Sequence, residues 1–461
     1  MRRRLAVAFL GIVLCLGTIQ IFVPKVTSSR SQIRASVPPI ICPDSSNGAS
    51  VAIGGEGIRI SPIGVLPKGV KDAAFTTKQV VTTARLSTAA HLVENSLGGI
   101  TQLDASSGLA GLACPREDSS YWFVGGSAAL TSRDWLVLVN TGHGEATATI
   151  YGWTGAGAIP SYPVVVPAQT TIRVGLDSIA PGVNEVVIHV LVRSGRMAAS
   201  LYDQRSQGLT SLGSDFVSPG IEPSRKFVVL GIPRTSSQPT TATSSSTKKK
   251  STTAVRKQVK EVRILRLLSP GNDSSVRVDA VGAGDSFTPL GLDSIELKAG
   301  VVRDIQVTAS MPSSAYAFVV TADSPVVAGV FSNVVTAKGS DIAWTSSAPR
   351  LSGSAGSTDF DGTAYFFYSH VSMVVQISSV RVGSAPINTT VSVPAEDVVS
   401  WTPAKGAGGA YAIKLKFLGG NVYVARVLRT DSGITTSPLR PINVSNQSTA
   451  SMADVGVGMP R

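Results

Sequence analysis

Short apolar runs separated by turn residues dominate the chain beyond residue 120. Residues 135–139 form a continuous apolar run, and residues 146–153 and 171–176 alternate apolar with polar side chains. Successive side chains of a strand point to opposite faces, so alternation indicates strands with one buried face. Gly, Pro and Asn separate the runs, and the sequence lacks long helical periodicity. Short strands at this spacing predict an all-β fold of sandwich type.

A weak internal repeat runs through the β region. Residues 185–190 align with residues 315–320 at an offset of 130, and a third copy begins at residue 410. In each copy an alternating strand precedes a small-residue turn and an apolar strand that carries Ala. Similarity at a regular offset indicates a repeated structural unit. We interpret each copy as a hairpin at one place in a repeated sandwich.

The predicted architecture is a series of immunoglobulin-like β-sandwich modules after an N-terminal transmembrane helix. A length of 461 residues is in keeping with two to four domains. We expect residues 37–119 to complete the first module. The predicted segments are a cytoplasmic stub with an anchor and basic flank (1–36), a first module (37–234), a Ser/Thr/Lys-rich linker (235–259), a second module (260–350), a third module (351–435) and a flexible tail (436–461).

The N-terminus carries a membrane-targeting pattern. Arg2, Arg3 and Arg4 precede 19 residues without a charge, residues 5–23. A cleaved secretory signal and an uncleaved anchor both fit this pattern, and we favour the anchor because the run is long and no Ala-x-Ala follows it. Because basic residues stay in the cytoplasm, either interpretation places residues 36–461 outside it. We therefore expect a single-pass plasma-membrane protein, or a secreted one if the segment is cleaved.

The net charge of +12 is concentrated in two segments. Residues 1–36 hold six basic residues and no acidic one, and residues 245–266 hold eight basic residues and one acidic one. The remainder is nearly neutral, whereas a nucleic-acid-binding domain usually spreads basic residues over a folded face. We therefore expect no nucleic-acid partner.

The second basic segment follows a Ser/Thr-rich tract. Ten of the 13 residues in 235–247 are Ser or Thr, and Lys248, Lys249 and Lys250 come next. This composition predicts a solvated linker and leaves an O-glycosylated spacer open. The three lysines are candidate contacts for an anionic wall polymer or lipid headgroups.

Two cysteines lie outside the N-terminal segment. Cys42 and Cys114 are both followed by Pro. An even pair in an exported chain suggests a disulfide, and two unrelated buried thiols are the alternative. With no further ligand near either cysteine in the sequence, we expect no metal and no cofactor.

Catalytic patterns are missing from the sequence. The four histidines lack metal-ligand spacing, and no Gly-x-Ser-x-Gly occurs. Asp359 and Asp361 are close in sequence and more typical of a turn than of a glycosidase pair. Tyr121 and Trp122, in an aromatic strand, are either core residues or ligand contacts that stack on a sugar. We therefore expect a protein that is not an enzyme.

These strand and turn motifs resemble a family catalogued as a domain of unknown function, number 5719. The resemblance rests on the steps at residues 114–115, 121–125, 136–140, 176–181 and 324–329. It implies an exported actinobacterial protein with an N-terminal membrane segment, a β-rich body and no established activity. It also implies that the Ser/Thr/Lys tract is an insertion between modules.

The sequence as a whole predicts a membrane-anchored, extracytoplasmic cell-envelope protein. We expect it to bind or scaffold a protein or a wall polysaccharide without catalysis. The alternative is an envelope polysaccharide-processing enzyme or its accessory subunit, which would need two facing carboxylates in a cleft.

Overall fold

The computed structural model divides the chain into two units, Met1–Ser36 and Val37–Arg461. The described residues all belong to the second unit: 38–64, 74–78, 80–96, 98–234, 262–307, 315–406 and 409–441. Within them, no helix is both long enough and apolar enough to cross a membrane. The predicted anchor over residues 1–36 lies outside the described residues.

The first eight strands form module 1. The first sheet has the order β1-β6-β3-β4 and the second the order β8-β7-β2-β5. Ile40, Val51, Ile60 and Ile100 from both sheets share one core. The strands are β1 Ile40–Cys42, β2 Ala49–Gly54, β3 Arg59–Pro62, β4 Phe75–Thr76, β5 Val81–Leu86, β6 His91–Glu94, β7 Gly99–Asp104 and β8 Ala110–Ala113.

The next eight strands form module 2 in the same order. Its sheets are β9-β14-β11-β12 and β16-β15-β10-β13, and a short helix, α1 (Leu176–Ile179), follows β13. Phe123 and Ile150 of the first sheet pack against Leu136 and Leu201 of the second. The strands are β9 Ser120–Val124, β10 Trp135–Asn140, β11 Ala146–Thr154, β12 Gly157–Val166, β13 Thr171–Gly175, β14 Val186–Ser194, β15 Met197–Gln207 and β16 Thr210–Val217.

Module 3 is built around one long strand, which belongs to both of its sheets. Up to Ala322 this strand pairs with β17 and β19, and after Val326 it pairs with β18 and β24. It therefore takes the places that two separate strands, β14 and β15, take in module 2. The strands are β17 Ser224–Pro233, β18 Val262–Leu268, β19 Ser274–Val281, β20 Ser286–Phe287, β21 Ile295–Leu297, β22 Arg303–Gln306, β23 Ala315–Thr336 and β24 Gly339–Ala348.

Module 4 repeats the order with β25-β30-β27-β28 and β32-β31-β26-β29. Its core combines Ile377 and Leu415 of the first sheet with Phe367 and Val424 of the second. The strands are β25 Ser354–Phe360, β26 Thr363–Ser369, β27 Met373–Arg381, β28 Ile387–Val393, β29 Asp397–Trp401, β30 Ala410–Leu418, β31 Tyr423–Arg429 and β32 Ile434–Pro438.

The molecule therefore contains four modules with one strand topology. The all-β prediction is confirmed, and the three sequence copies fall on β14, β23 and β30, which are equivalent strands. A fourth copy occurs at β6, His91–Glu94. It escapes the sequence alignment because β6 is only four residues long.

The strand pairings differ from the predicted segments in three places. Residues 37–119 form a module with its own core, since their strands are complete in two sheets. The boundary at residue 234 does not separate modules, because β17, which ends at Pro233, pairs with β23 and β24. Residues 235–259 are thus an insertion between the first two strands of module 3. Strand β32 reaches Pro438, into the predicted tail.

The four modules close into a cycle, because the outer face of each first sheet packs on the second sheet of the next module. Ile41 packs on Val139, Val187 on Val327 and Val319 on Phe366. Modules 4 and 1 complete the cycle through the parallel pairing of β25 with β7, which merges two sheets into one of eight strands. The last strands of the modules, β8, β16, β24 and β32, also contact one another in turn.

Candidate functional site

The centre of the cycle holds a buried carboxylate, that of Asp341 on β24. It accepts backbone hydrogen bonds from Leu109 (3.0 Å), Ser214 (3.3 Å) and Ile434 (2.9 Å). Each donor belongs to a different one of the other three modules. Burial raises the pKa of Asp341 to about 6 against the opposing effect of these N–H groups. We call this carboxylate and its three donors the hub.

Three glycines make room for the hub carboxylate. A Cβ atom added at Gly108, Gly213 or Gly433 would lie 2.2, 2.3 or 2.1 Å from an oxygen of Asp341. These distances are shorter than any ordinary contact, so each strand can approach the carboxylate only with glycine at that position. The hub therefore joins all four modules, with a side chain from module 3 and backbone from the other three.

A second carboxylate lies beside the hub. Asp215 on β16 accepts hydrogen bonds from Gly111 N (3.3 Å), Trp344 N (2.9 Å) and Thr435 Oγ1 (2.9 Å). Burial raises the pKa of Asp215 well above its usual value. The two carboxylates use their acceptor capacity to bind neighbouring modules, which indicates a structural role.

Buried arginines connect the modules as well. Arg266 of module 3 pairs with Asp304 at 2.8 Å and donates to the carbonyls of Gly126 (2.7 Å) and Val186 (3.0 Å) in module 2. Arg426 of module 4 pairs with Asp359 at 2.9 Å and donates to Thr101 Oγ1 of module 1 at 2.8 Å. Buried charges are stable only with such partners, so these pairs oppose separation of the modules.

The structure places Tyr121 and Trp122, the candidate ligand contacts, in the interior. Tyr121 is 4% exposed and donates its hydroxyl to the carbonyls of Arg116 (2.9 Å) and Met197 (3.0 Å). Trp122 is 5% exposed and donates from Nε1 to Glu222 Oε2 at 2.8 Å. Burial leaves neither ring a face for a ligand, because both strand faces are covered, one by the module 2 core and one by module 3.

Trp122 belongs to a stack of rings across the first sheet of module 2. Its ring lies 4.2 Å from that of His189 and 5.4 Å from that of Trp153, and Tyr151 stacks on His189 at 5.9 Å. His189 Nε2 lies 2.9 Å from Ser120 Oγ, and burial lowers the pKa of His189. Because the rings cover one another's faces, the stack fills space between modules instead of offering a sugar platform.

The remaining predicted site residues are the two cysteines and the three consecutive lysines. Cys42 and Cys114 are joined by a disulfide within the core of module 1. Lys248, Lys249 and Lys250 lie outside the described residues. In the part of the chain that is described, no three His, Cys, Asp or Glu side chains converge as a metal site.

A polar cleft of about 340 Å³ opens between modules 3 and 4. Asp279 of β19 lines the cleft and accepts hydrogen bonds from Arg277 Nη2 at 2.8 Å and from Thr288. Partial burial acts to raise the pKa of Asp279, but the bonds from Arg277 and Thr288 and the Arg277 charge outweigh it and lower the pKa. Phe287, 40% exposed, also lines the cleft.

Module 4 contributes Glu396 to the lining of the cleft. The Glu396 carboxylate accepts hydrogen bonds from Tyr368 and from His370 Nδ1, the latter at 2.9 Å. Burial acts to raise the pKa of Glu396, and these bonds outweigh it and lower the pKa. Glu396 has φ +56°, a conformation that non-glycine residues seldom adopt. Such strain is held by the surroundings and marks positions where orientation matters.

The cleft is the module 3 counterpart of the aromatic stack. Tyr151, His189 and Trp122 are cross-strand neighbours on β11, β14 and β9. The equivalent strands of module 3 place Asp279 opposite Val319 and Val319 opposite Val228. Small residues stand where module 2 has rings, which leaves the cleft open. We call it the Asp279–Glu396 cleft, with Arg277, Ser286, Phe287 and Thr288 as its other polar and aromatic lining.

Neither carboxylate of the cleft has the raised pKa of a general acid. A general acid needs a raised pKa to hold its proton at neutral pH. Asp279 and Glu396 both have lowered pKa values, so both are ionised there. The sequence gives no signal for this pair, because the two residues come from different modules and meet only through module packing.

A family model described as a family of unknown function (DUF5719) matches residues 73–404. No curated protein matches the chain. One similar solved structure is described as the crystal structure of a tetra-tandem repeat in the extending region of a large adhesion protein. It is 10% identical, and the alignment covers 88% of this chain and 96% of that chain. The TM-score of 0.10 is too low for an argument about fold or function.

Proposed function

The chain belongs to the DUF5719 family, whose function is unknown, and from that premise we propose a non-catalytic binding or scaffolding protein of the cell envelope. The observation that carries this proposal is the closed cycle of modules. The hub of Asp341 and the pair Arg426–Asp359 commit buried charges to holding the modules together. A body of this kind presents fixed surfaces, which suits a scaffold for a protein or a wall polysaccharide.

The modules are proposed to be immunoglobulin-like sandwiches. In modules 1, 2 and 4 the first, sixth and third strands are neighbours, as are the eighth, seventh and second, and in module 3 the single strand β23 takes the sixth and seventh places. This reproduces the neighbour order B-E-D and G-F-C of immunoglobulin sheets. In modules 1, 2 and 4 the fourth and fifth strands extend the two sheets at their edges. Such modules commonly serve as rigid supports for surface loops.

The location is part of the proposal. The apolar run at residues 5–23 after three arginines supports a single-pass plasma-membrane anchor with the modules outside the cytoplasm, as in the actinobacterial proteins that the chain resembles. The disulfide Cys42–Cys114 supports an oxidising compartment. Lys248, Lys249 and Lys250 would add attraction to anionic wall polymers or headgroups, and deletion of residues 236–255 should then weaken membrane retention in low salt only.

The test is photocrosslinking of the full chain in intact cells. A photoreactive residue replaces Phe287 in the cleft or, as a control, Leu130 in the segment between β9 and β10 of module 2, and both residues are exposed. We expect envelope material to be captured from position 287 and the 47.6 kDa chain to stay with membranes after alkaline extraction. Recovery of the chain from the cytosol, or equal capture at both positions, would contradict the proposal.

A further inference from the structure

We propose that the Asp279–Glu396 cleft binds a neutral, polyhydroxylated ligand, namely one or two sugar rings of an envelope glycan. The inference rests on the proposed binding function and names the ligand class and the site. It depends on the fixed carboxylates, on the ring of Phe287 and on the charge balance of the walls, which are taken in turn.

The two carboxylates are preorganised hydrogen-bond acceptors. Asp279 is held by Arg277 and Thr288, and Glu396 by Tyr368 and His370. An ionised carboxylate has about four lone-pair sites, so Glu396 retains acceptor capacity toward the cleft after binding two donors. A ligand that satisfies it must donate hydrogen bonds, and the hydroxyl groups of a sugar are donors of this kind.

Phe287 supplies the apolar part of the site. Phe287 is 40% exposed, although it lines the cleft beside the polar residues Asp279 and Thr288. A sugar ring has polar edges and an apolar C–H face, so it can bind a carboxylate by its edge and an aromatic ring by its face. A volume of about 340 Å³ is at the lower end of the range for ligand pockets, which limits the occupant to a small unit.

The charges of the walls exclude other ligand classes. Asp279 and Glu396 repel an anionic polymer at short range. The Arg277 side chain, 55% exposed, opposes a cationic peptide in the same cleft. The charges of Arg277 and of Lys226, which act on Asp279 and Glu396 respectively, balance the two carboxylates, so the cleft favours a ligand without net charge. This separates it from the anionic partners considered for the lysines at 248–250.

The test is ligand-detected NMR with the purified full chain. The probes are cellobiose, maltose, α-1,6-mannobiose and N,N′-diacetylchitobiose, with oligolysine and polyphosphate as charged probes. We expect one neutral disaccharide to bind, and Phe287→Ala and Asp279→Asn each to weaken its affinity at least tenfold. Leu290→Ala, a fully exposed neighbour three residues from Phe287, is the matched control and should bind normally.

The other outcomes reject the assignment or the function separately. If all four disaccharides fail to bind, or if oligolysine or polyphosphate binds instead, the ligand class is wrong. If Phe287→Ala and Asp279→Asn both still bind the disaccharide normally, the binding site lies outside the cleft. Hydrolysis of a disaccharide that Asp279→Asn abolishes would support the cleft and overturn the non-catalytic function. Far-UV circular dichroism of each variant checks that the fold is intact.

Discussion

Asp341 shows how much a single side chain can hold together when backbone groups converge on it. Its carboxylate binds N–H groups from three modules, and three glycines leave it room. Each buried N–H group left without a partner costs about 1–3 kcal/mol, and the Asp341 carboxylate avoids this cost at three such groups. The hub could not be predicted from the sequence, because an isolated Asp after a Gly-Ser pair is more typical of a turn.

The first prediction concerns the glycine opposite the hub. Gly433→Ala would place a methyl group 2.1 Å from Asp341 Oδ2 and 2.8 Å from the Leu109 amide nitrogen. We expect overpacking to lower the free energy of unfolding by about 1–3 kcal/mol, measured by denaturant titration. The matched control is Gly271→Ala, which has no atom within 4 Å and should be neutral or slightly stabilising. Equal stability of the two variants would contradict the hub packing.

The second prediction is a pH dependence. The folded pKa of Asp341 is about 6, above the reference value of 3.8. A raised carboxyl pKa means that the folded state holds the proton more tightly, so its stabilising contribution is present below pH 4 and is lost as the pH rises through about 6. Relative to Asp341→Asn, the unfolding free energy of the wild type should fall by about 3 kcal/mol over that range. A difference that stays flat or rises would exclude this titration.

Individual residues also show why the site could not be predicted from the sequence. Tyr121 and Trp122 stand out in sequence as aromatic neighbours, but both strand faces of module 2 are covered, and the rings are buried. Asp279 and Glu396 have no sequence signal, since each is an ordinary polar residue of a strand or turn. Only the packing of module 4 on module 3 brings them to one cleft.

Among the elements, the equivalent strands β14, β23 and β30 carry the clearest sequence repeat. The sequence copies at β14, β23 and β30 fall on equivalent strands. The predicted hairpin is wrong, because β14 and β15 lie in different sheets, as do β30 and β31, and β23 continues through the corresponding segment as one strand. The four-residue β6 carries too little pattern to be aligned. Long strands and their equivalence could therefore be predicted from the sequence, whereas the number of modules could not.

The third prediction concerns the disulfide that closes module 1. Cys42 in β1 and Cys114 after β8 are 72 residues apart and join the two ends of the module. In the chain-entropy model, closing such a loop stabilises the fold by about 4 kcal/mol. We expect Cys42→Ala/Cys114→Ala to lose stability of this order and to increase amide exchange in β2 and β7, measured by mass spectrometry. Increased exchange confined to modules 3 and 4 would be inconsistent with this role.

At the scale of the whole molecule, the cycle depends on the connection between modules 4 and 1. There the packing of Ala410 on Ala52 is joined by the parallel pairing of β25 with β7 and by the buried pair Arg426–Asp359. The sequence could not predict this connection, because the paired residues Ile100 and Thr358 belong to different modules and lie far apart in the chain.

The fourth prediction tests that connection. Arg426→Ala leaves Asp359 as an unpaired buried charge, so we expect a loss of about 3–5 kcal/mol and faster amide exchange in β7 and β25. Arg426→Met/Asp359→Leu removes both charges and should recover much of the stability. Arg59→Ala, at an exposed ion pair, is the control for loss of an arginine. Normal exchange at β7 in Arg426→Ala would show that the ion pair does not hold the two modules together.

Because module 4 pairs with module 1, the number of modules in the cycle is fixed. In an open array each added repeat packs on the last repeat and exposes an equivalent face of its own. Such arrays can therefore gain or lose repeats during evolution. Here every module face is already taken, and a fifth unit would have to break the pairing of β25 with β7 before it could enter. Relatives of this fold should therefore vary by insertions within a module, as residues 235–259 do between β17 and β18, and not by gaining or losing whole modules.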